Sequence, residues 1–209
     1  MDPRLGVHVT ATVGIFVFEN VEVLDFAGPY EVFTTASRVH RRSRPSDPDP
    51  FKVFTIRRTG RPIRARAGLG VHPDYHFANH PPIDILVIPG GVVTQELAEP
   101  ETAIWITTSS RTSRLTASVC TGAFLLAQAG LLNGKSATTH WEDVEDLRRM
   151  FPSLNVQTGK RWVDEGTVVT SAGISAGIDM SLHLIERIAG RELAIETARQ
   201  MEFNWTENS

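Results

Sequence analysis

The chain has 209 residues, of which 41% are hydrophobic and 22% charged, and its formal net charge is −3 at pH 7. This composition is typical of a soluble globular protein and gives no overall attraction to nucleic acid or to an anionic membrane. A single cysteine, Cys120, excludes an internal disulfide and any zinc site built on several thiolates. The N-terminal residues lack the apolar stretch of a signal peptide, and no run approaches the roughly 18–20 apolar residues of a membrane span, so we expect a cytoplasmic protein.

Apolar runs and turn-forming residues divide the first part of the chain into strands, a helix and two loops. The run Thr12–Phe18 is rich in β-branched and aromatic residues, as expected of a strand buried on both faces. Pro29 suits the first turn of the helix that follows, which puts Asp25 at the carboxyl end of this strand. The next predicted segments are an exposed, basic and proline-rich loop (38–50), a second strand (51–58) and a hairpin or meander (60–75).

The second part continues the alternation of strands and helices. A buried strand, 83–89, ends in Gly90-Gly91, and a helix and a strand are predicted at 100–112 and 115–119. The later predictions are a helix ending at 129, a short strand near 137–141, a helix at 142–151, a hairpin at 161–170, a helix after 177 and a last helix at 191–201. This pattern predicts an α/β fold, a three-layer sandwich around a mostly parallel sheet, formed by one domain over residues 1–209 with its core at about 12–201.

The stretch from Leu115 to Ala127 predicts the most reactive position in the chain. A strand ends at Val119, Cys120 follows, and Thr121-Gly122 opens a helix, as in the nucleophile elbow that exposes a side chain above a parallel sheet. A helix N-terminus favours a thiolate, so we expect a lowered pKa for this thiol. The alternative is a buried structural cysteine.

Three features converge at one edge of the predicted sheet, where ligands of such folds bind. Asp25 follows the first strand, Gly90-Gly91 follows a central strand and Cys120 follows the next. The arrangement combines a carboxylate, a nucleophile and backbone amides, including those of Gly91 and Thr121, that would bind an oxyanion. Taken alone, the glycine pair is an ordinary turn and Asp25 an ordinary helix N-cap.

Five motifs resemble those of the ThiJ/PfpI superfamily, which shares a flavodoxin-like core with class I glutamine amidotransferases. The resemblance extends from about Thr12 to Met201 and implies the same core here. The motifs are Ile88–Gly91, Ser118–Gly122, Gly130–Lys135, Ala137–Trp141 and Ala172–Asp179.

Two departures narrow the resemblance to one branch. Protease- and glyoxalase-like members have a histidine directly after the cysteine, where this chain has Thr121, and a glutamate where it has Asp25. The motifs here are similar to those of isonitrile hydratases and of the ligand-binding half of AraC-type transcription regulators. In those regulators a DNA-binding domain follows. Since the chain as given stops at Ser209, no nucleic-acid partner is expected, and the resemblance implies a homodimer.

The hydratase resemblance implies a cofactor-free reaction. Cys120 would attack the terminal carbon of an isonitrile to give a thioimidate, and Asp25 would move protons and direct water to release an N-substituted formamide. The Thr121 hydroxyl would bond Asp25 or the intermediate. The open alternatives are a non-catalytic ligand sensor and a redox sensor in which Cys120 is oxidised reversibly.

Further side chains are candidates for the pocket. His140 would orient Cys120 or a water, or else be a structural histidine, while Trp141 and Ile174 are plausible pocket walls or core residues. His72, His76 and His80 recur every four residues, which aligns metal ligands on a helix. The prolines among them make that helix improbable, so no metal site is predicted.

Overall fold

The computed structural model describes residues 10–208, at the centre of which a seven-stranded sheet lies between helices. The N-terminal residues, which were expected not to form a signal peptide, therefore lie outside the described part. The strands are β1 (Ala11–Phe16), β2 (Phe51–Arg57), β3 (Ile63–Arg64), β4 (Gly70–Val71), β5 (Tyr75–His76), β6 (Ile85–Ile88), β7 (Leu115–Val119), β8 (Ser136–Ala137), β9 (Asn155–Val156), β10 (Trp162–Asp164) and β11 (Val168–Ser171).

The helices fall into two groups that pack among themselves. The first group is α1, α6 and α7, and the second is α2, α3 and α4, whereas α5 packs beside β9. Their bounds are α1 (Val23–Ser43), α2 (Thr94–Leu97), α3 (Pro100–Thr112), α4 (Gly122–Gln128), α5 (Val144–Met150), α6 (Ala176–Ala189) and α7 (Arg191–Gln200), with short 3₁₀ turns at Arg66–Gly68 and Trp141–Asp143. None of the helices within residues 10–208 is long and apolar enough to cross a bilayer.

The order of strands in the main sheet is β10-β11-β7-β6-β1-β2-β5, and only β10 runs antiparallel to its neighbour. The five central parallel strands thus follow the 2-1-3-4-5 order of flavodoxin-like folds. Strands β6 and β7 are buried along their whole length, which explains the uninterrupted apolar sequence of β6 and the absence of charged residues from β7. The predicted α/β sandwich with a mostly parallel, flavodoxin-like sheet is confirmed.

The first helix is much longer than the sequence indicates. The sequence predicts Pro29 in its first turn and an exposed loop at 38–50. Instead, α1 begins at Val23, continues past Pro29 and includes the first part of this loop, as far as Ser43. Pro29 costs one backbone hydrogen bond, to the carbonyl of Asp25. Packing explains why the helix nevertheless persists: a buried stripe of Val32, Ala36 and Val39 lies along it, where α1 contacts α6 and α7.

The sheet topology brings three connections to one place. Ligand sites of such folds lie beyond the carboxyl ends of the strands, at the point where the strand order reverses. Here that point lies between β1 and β6, and β7 is the next neighbour. The segments that follow these three strands carry Asp25, Gly90-Gly91 and Cys120, as the sequence predicts.

Candidate functional site

Cys120 lies on a strained turn between β7 and α4. Its φ of 56° is left-handed, a conformation that non-glycine residues adopt rarely and that is often found at functional positions. The Cys120 amide donates to Ser171 O (3.2 Å) and its carbonyl accepts from Thr139 Oγ1 (2.9 Å), so both neighbours hold the turn. Gly122 allows the close approach of the neighbouring strand β6, since a Cβ at this position would lie 2.1 Å from Ile88 O. This is the geometry of a nucleophile elbow.

Asp25 lies next to this thiol as a fully buried carboxylate, 0% exposed. It occupies the first turn of α1, and the N-cap position belongs to Glu22, so the N-cap alternative for Asp25 is wrong. Its Oδ2 accepts from the Gly90 amide (3.1 Å), and its Oδ1 accepts no hydrogen bond from any described residue. The side chain whose hydrogen bond lowers the pKa of this carboxyl group is that of Cys120. A buried carboxyl group in contact with a thiol is a candidate for acid–base chemistry.

Asp25 and Cys120 each affect the pKa of the other. Burial raises the pKa of Asp25 to about 7, against the lowering effect of its bond from Gly90. Burial, and then the charge of Asp25, raise the pKa of the Cys120 thiol to about 12, although the Thr121 amide bonds to the sulfur and acts in the opposite direction. The expectation of a lowered thiol pKa is therefore wrong for the resting site. Helix α4 has only seven residues, and its N-terminal amides do not outweigh burial beside a carboxylate.

Thr121 and Gly91 bind each other instead of the reacting groups. The Gly91 amide donates to Thr121 Oγ1, and that hydroxyl donates to Gly91 O, both at 2.9 Å. The amide of Gly91 is thus not available as an oxyanion donor, and the Thr121 hydroxyl does not bond Asp25, contrary to both expectations. Only the backbone amide of Thr121 is directed at Cys120. The side chain of Thr121 fixes the turn after β6 to the elbow.

Gly90, and not Gly91, is the member of the predicted glycine pair whose backbone amide serves the site. Its amide holds Asp25, and a Cβ at this position would lie 2.6 Å from both the amide nitrogen and Oγ1 of Thr121 and 2.9 Å from Asp25 Oδ2. The glycine pair signalled a close backbone approach, but which of the two glycines serves the carboxylate depends on the path of the turn.

His140 lies beside the site without a recorded bond to Cys120. Its ring packs on Gly173, where a Cβ would come within 2.0 Å of the ring Cδ2. Its Nδ1 lies 3.4 Å from Asp143 Oδ2 and 3.7 Å from Glu142 Oε2. Asp143, whose charge also acts on Cys120, was not singled out in the sequence because it reads there as one acidic residue of a charged helix.

The two expected apolar pocket walls differ from the prediction in their exposure. Trp141 is 76% exposed, because the 3₁₀ turn Trp141–Asp143 turns it outward, so it is not a buried wall. Ile174 is 38% exposed and has a φ of 37°, a true outlier for a β-branched side chain. This strain lies in the loop that carries Gly173, the residue under the ring of His140.

Two of the three histidines considered as metal ligands, His76 and His80, have other partners. His80 Nε2 accepts from the Trp105 indole (3.0 Å) while its Nδ1 donates to Pro81 O (2.8 Å), and His76 Nδ1 accepts from the Ala78 amide (3.3 Å). Over residues 10–208, no group of three histidine, cysteine, aspartate or glutamate side chains is arranged to hold a metal ion.

Comparison with known proteins agrees with this fold. The model of the DJ-1/PfpI family matches residues 11–187. The isonitrile hydratase of Pseudomonas putida is 32% identical over 91% of this chain and 78% of its own length. A crystal structure of a ThiJ/PfpI family protein from Pseudomonas syringae superposes with a TM-score of 0.81 at 24% identity, covering 95% of this chain and 77% of the other.

A different kind of relative matches nearly as well. The HTH-type transcriptional regulator GbdR of Pseudomonas aeruginosa is 31% identical over 88% of this chain, but the match covers only 48% of the regulator. The chain therefore spans about half the length of this relative. The same fold thus occurs in relatives named as an enzyme and as a regulator, and the site has to decide between them.

Proposed function

We propose that this chain, which belongs to the DJ-1/PfpI family, is a cofactor-free, cysteine-dependent hydratase of a small molecule, best described as an isonitrile hydratase. The observation that carries the proposal is the pairing of Cys120 on its strained elbow with Asp25, a buried carboxyl group whose Oδ1 is unbonded. A pKa of about 7 suits Asp25 to accept and return a proton near neutral pH.

In the first step the pair adds S–H across the isonitrile carbon. Asp25 takes the thiol proton as the sulfur of Cys120 attacks the terminal carbon of R–N≡C, which forms the C–S bond. Asp25 then returns this proton to the same carbon, which gives the thioimidate R–N=CH–S–Cys120. No group outside the pair has to supply a proton or an electron.

In the second step water releases the product. Asp25 accepts a proton from water as the water oxygen adds to the thioimidate carbon, and it passes this proton to the nitrogen, which gives R–NH–CH(OH)–S–Cys120. The C–S bond then breaks as the hydroxyl proton of this adduct moves through Asp25 to the sulfur, and R–NH–CHO leaves. The Thr121 amide, which faces the sulfur, stabilises negative charge there as the bond breaks.

The relatives support this reading. An isonitrile hydratase is similar over most of both chains. The resemblance also implies that Asp25 and Thr121 stand where protease- and glyoxalase-like members have a glutamate and a histidine. An isonitrile also suits a site in which one carboxyl group handles every proton, because its carbon requires both a nucleophile and a proton.

The decisive experiment is incubation with cyclohexyl isonitrile, with N-cyclohexylformamide measured by mass spectrometry. We expect formamide from the native protein and none from Cys120→Ala. A fold control is circular dichroism of the variant. Formation of formamide by Cys120→Ala at the native rate, or by neither protein, contradicts the hydratase proposal.

The second candidate function is that of a ligand-sensing domain. Its support is the match to GbdR, of which this chain covers about half. A sensor would bind isonitrile or another small molecule at Cys120 with saturable affinity, seen by calorimetry, and release no product. Redox sensing is less favoured, because the resting cysteine is held as a thiol and the thiolate is the form that oxidants attack.

We further propose that residues 1–209 act as one domain, as a homodimer and in the cytoplasm. The support is the family resemblance and the composition. Light scattering coupled to gel filtration tests the dimer: a mass of about twice the 23.1 kDa chain supports it, and a monomer at micromolar concentration contradicts it.

A further inference from the structure

Carboxylates approach Cys120 from two sides. Asp25 comes from α1, and Asp143 and Glu142 come from the 3₁₀ turn after His140; we call these last two the acidic rim. Thr139 ties this segment to the elbow, since its hydroxyl donates to Cys120 O (2.9 Å) and the residue itself is buried. This bond places the segment that carries the rim beside the elbow.

The acidic rim has no arginine partner in the described part of the chain. His140 Nδ1 lies 3.4 Å from Asp143 Oδ2 and 3.7 Å from Glu142 Oε2, but it accepts a hydrogen bond from the Glu142 amide (3.4 Å) and so offers these carboxylates no N–H. On α1, by contrast, Glu22 at the N-cap is paired with Arg66 at 3.3 Å. Among residues 10–208, neither Asp143 nor Glu142 forms an ion pair with an arginine.

The two rim residues are not equivalent. The Asp143 side chain is 35% exposed and that of Glu142 is 64% exposed, so water screens Asp143 less. The charge of Asp143 also contributes to raising the pKa of Cys120, after burial and Asp25. Asp143 therefore acts on the reacting sulfur.

Exposed apolar side chains lie next to site residues in the sequence. Of the nine large apolar side chains that are exposed within residues 10–208, four directly adjoin Asp25, Gly91, His140 or Gly173. They are Leu24, Val92, Trp141 and Ile174.

We propose that Asp143 is a specificity-determining residue that makes the Cys120 site accept neutral or cationic small molecules with an apolar substituent and reject anionic ones. This inference rests on the Cys120 site of the proposed function and adds a substrate class to it. An isonitrile with an alkyl or aryl group falls in the accepted class, and one that carries a carboxylate falls in the rejected class.

The test uses charged thiol reagents, so that it does not depend on hydratase activity. In each case the Cys120 thiolate displaces methanesulfinate from CH₃SO₂–S–R and forms the mixed disulfide Cys120–S–S–R. The probes are the trimethylammonium-ethyl (cationic), sulfonato-ethyl (anionic) and methyl (neutral) methanethiosulfonates, at pH 8 and low salt. The rate constant for modification by the cationic reagent is divided by that for the anionic reagent. This ratio is then divided by the same ratio measured on the urea-unfolded protein.

We expect this normalised ratio to exceed 1 in the native protein and to fall about fivefold in Asp143→Asn, because one partly screened charge is removed. A general change in thiol reactivity cancels in the ratio. Glu142→Gln should lower the ratio less. The matched control is Asp146→Asn, which removes one negative charge from α5 one turn beyond Asp143 and should lower the ratio much less than Asp143→Asn does.

An equal effect of Asp143→Asn and Asp146→Asn, or a native ratio of 1, overturns the proposal. Since the cysteine is labelled whether or not isonitriles are turned over, failure of the hydratase proposal leaves this result interpretable. If hydratase activity is found, an isonitrile with an anionic substituent should react more slowly than its neutral analogue, and Asp143→Asn should narrow the difference.

Discussion

At the scale of single residues, the site depends on one buried carboxyl group. Asp25 has no ion-pair partner among the described residues, and its bond from the Gly90 amide does not offset the cost of burying its charge. A group in this state binds a proton near neutral pH. It can therefore act as a base toward the thiol and as an acid toward the substrate, without a histidine next to the cysteine.

This electrostatic arrangement predicts a pH profile for catalysis. The productive state holds one proton on the Asp25–Cys120 pair, so kcat/KM for isonitrile should rise with pH, be half-maximal near pH 7 and then stay level to about pH 9. Steady-state formamide production across pH 5–9 measures it. Asp25→Asn should lose at least about 100-fold in rate and the rising limb with it. Full activity in Asp25→Asn contradicts the assignment.

The same carboxyl group should weaken the fold once it ionises. Its folded pKa of about 7 lies above its ordinary value of 3.8, so the folded state binds the proton more tightly and stability falls as the pH rises between these values. The difference in the free energy of unfolding between Asp25→Asn and the native protein should therefore increase by at most about 4 kcal/mol from pH 4 to pH 8.

Urea denaturation at pH 5, 6, 7 and 8 tests this dependence. The change with pH is the informative quantity, because an unpaired asparagine amide adds a cost that does not depend on pH. Asp146→Asn, on the exposed face of α5, is the control and should show no such trend. Parallel curves for Asp25→Asn and the native protein would refute the raised pKa.

At the scale of secondary-structure elements, the turn after β6 controls how closely the segments of the site approach. Gly90→Ala places a methyl group 2.6 Å from Thr121 and 2.9 Å from Asp25 Oδ2. We expect a loss of about 1–3 kcal/mol in stability and about 100-fold in kcat/KM, because Asp25 and the elbow are pushed apart. Thermal unfolding and formamide assays measure the two effects.

The matched control for this variant is Gly70→Ala. A Cβ at Gly70 meets no described atom within 4 Å, and its backbone is not left-handed, so stability and activity should change little. Near-native activity in Gly90→Ala would show that the turn adapts and that the close approach is not required.

The elements also show how far sequence reasoning extends. Helix 100–112 and strand 115–119 were predicted to the residue, because a proline at the helix start and a short apolar run are local signals. The length of α1 was not predictable, since its basic C-terminal turns are helical through packing on α6 and α7. The meeting of Asp25 with Cys120 followed from strand polarity. The hydrogen bonds between Gly91 and Thr121 could not be predicted, because bonds between two turns depend on the tertiary path of both.

At the scale of the whole molecule, a buried aspartate joins the C-terminal segment to the body of the fold. Asp179 in α6 is fully buried, accepts from Arg161 Nε (2.8 Å) and from the Thr206 amide (2.8 Å), and its carbonyl accepts from the Trp205 indole (3.2 Å). Asn208 then bonds the backbone of Trp162 at the edge of the sheet. Three separate parts of the chain thus meet at one carboxylate.

Asp179→Ala should therefore cost about 3–5 kcal/mol, because it leaves Arg161 without its buried partner. It should also free the segment around Trp205, detectable as faster chymotrypsin cleavage there under native conditions. The comparison variant is Glu207→Gln, which breaks a surface pair with Arg191 and should cost less than about 1 kcal/mol. Equal stability of the two variants would show that the buried contact does not stabilise the fold.

The polarity of the parallel strands has a practical consequence for measurement. The described chain begins next to β1 at the amino edge of the sheet, whereas Asp25, Cys120 and the acidic rim lie at the carboxyl edge. A sensor surface that captures the protein at this amino edge, for example at the exposed Arg114 directly before β7, would thus leave the site facing the flowing solution. Attachment near Trp205 would instead pull on the segment that Asp179 holds in place. Orientation on the chip is therefore set by strand direction, and capture at the amino edge suits a screen of uncharged small molecules.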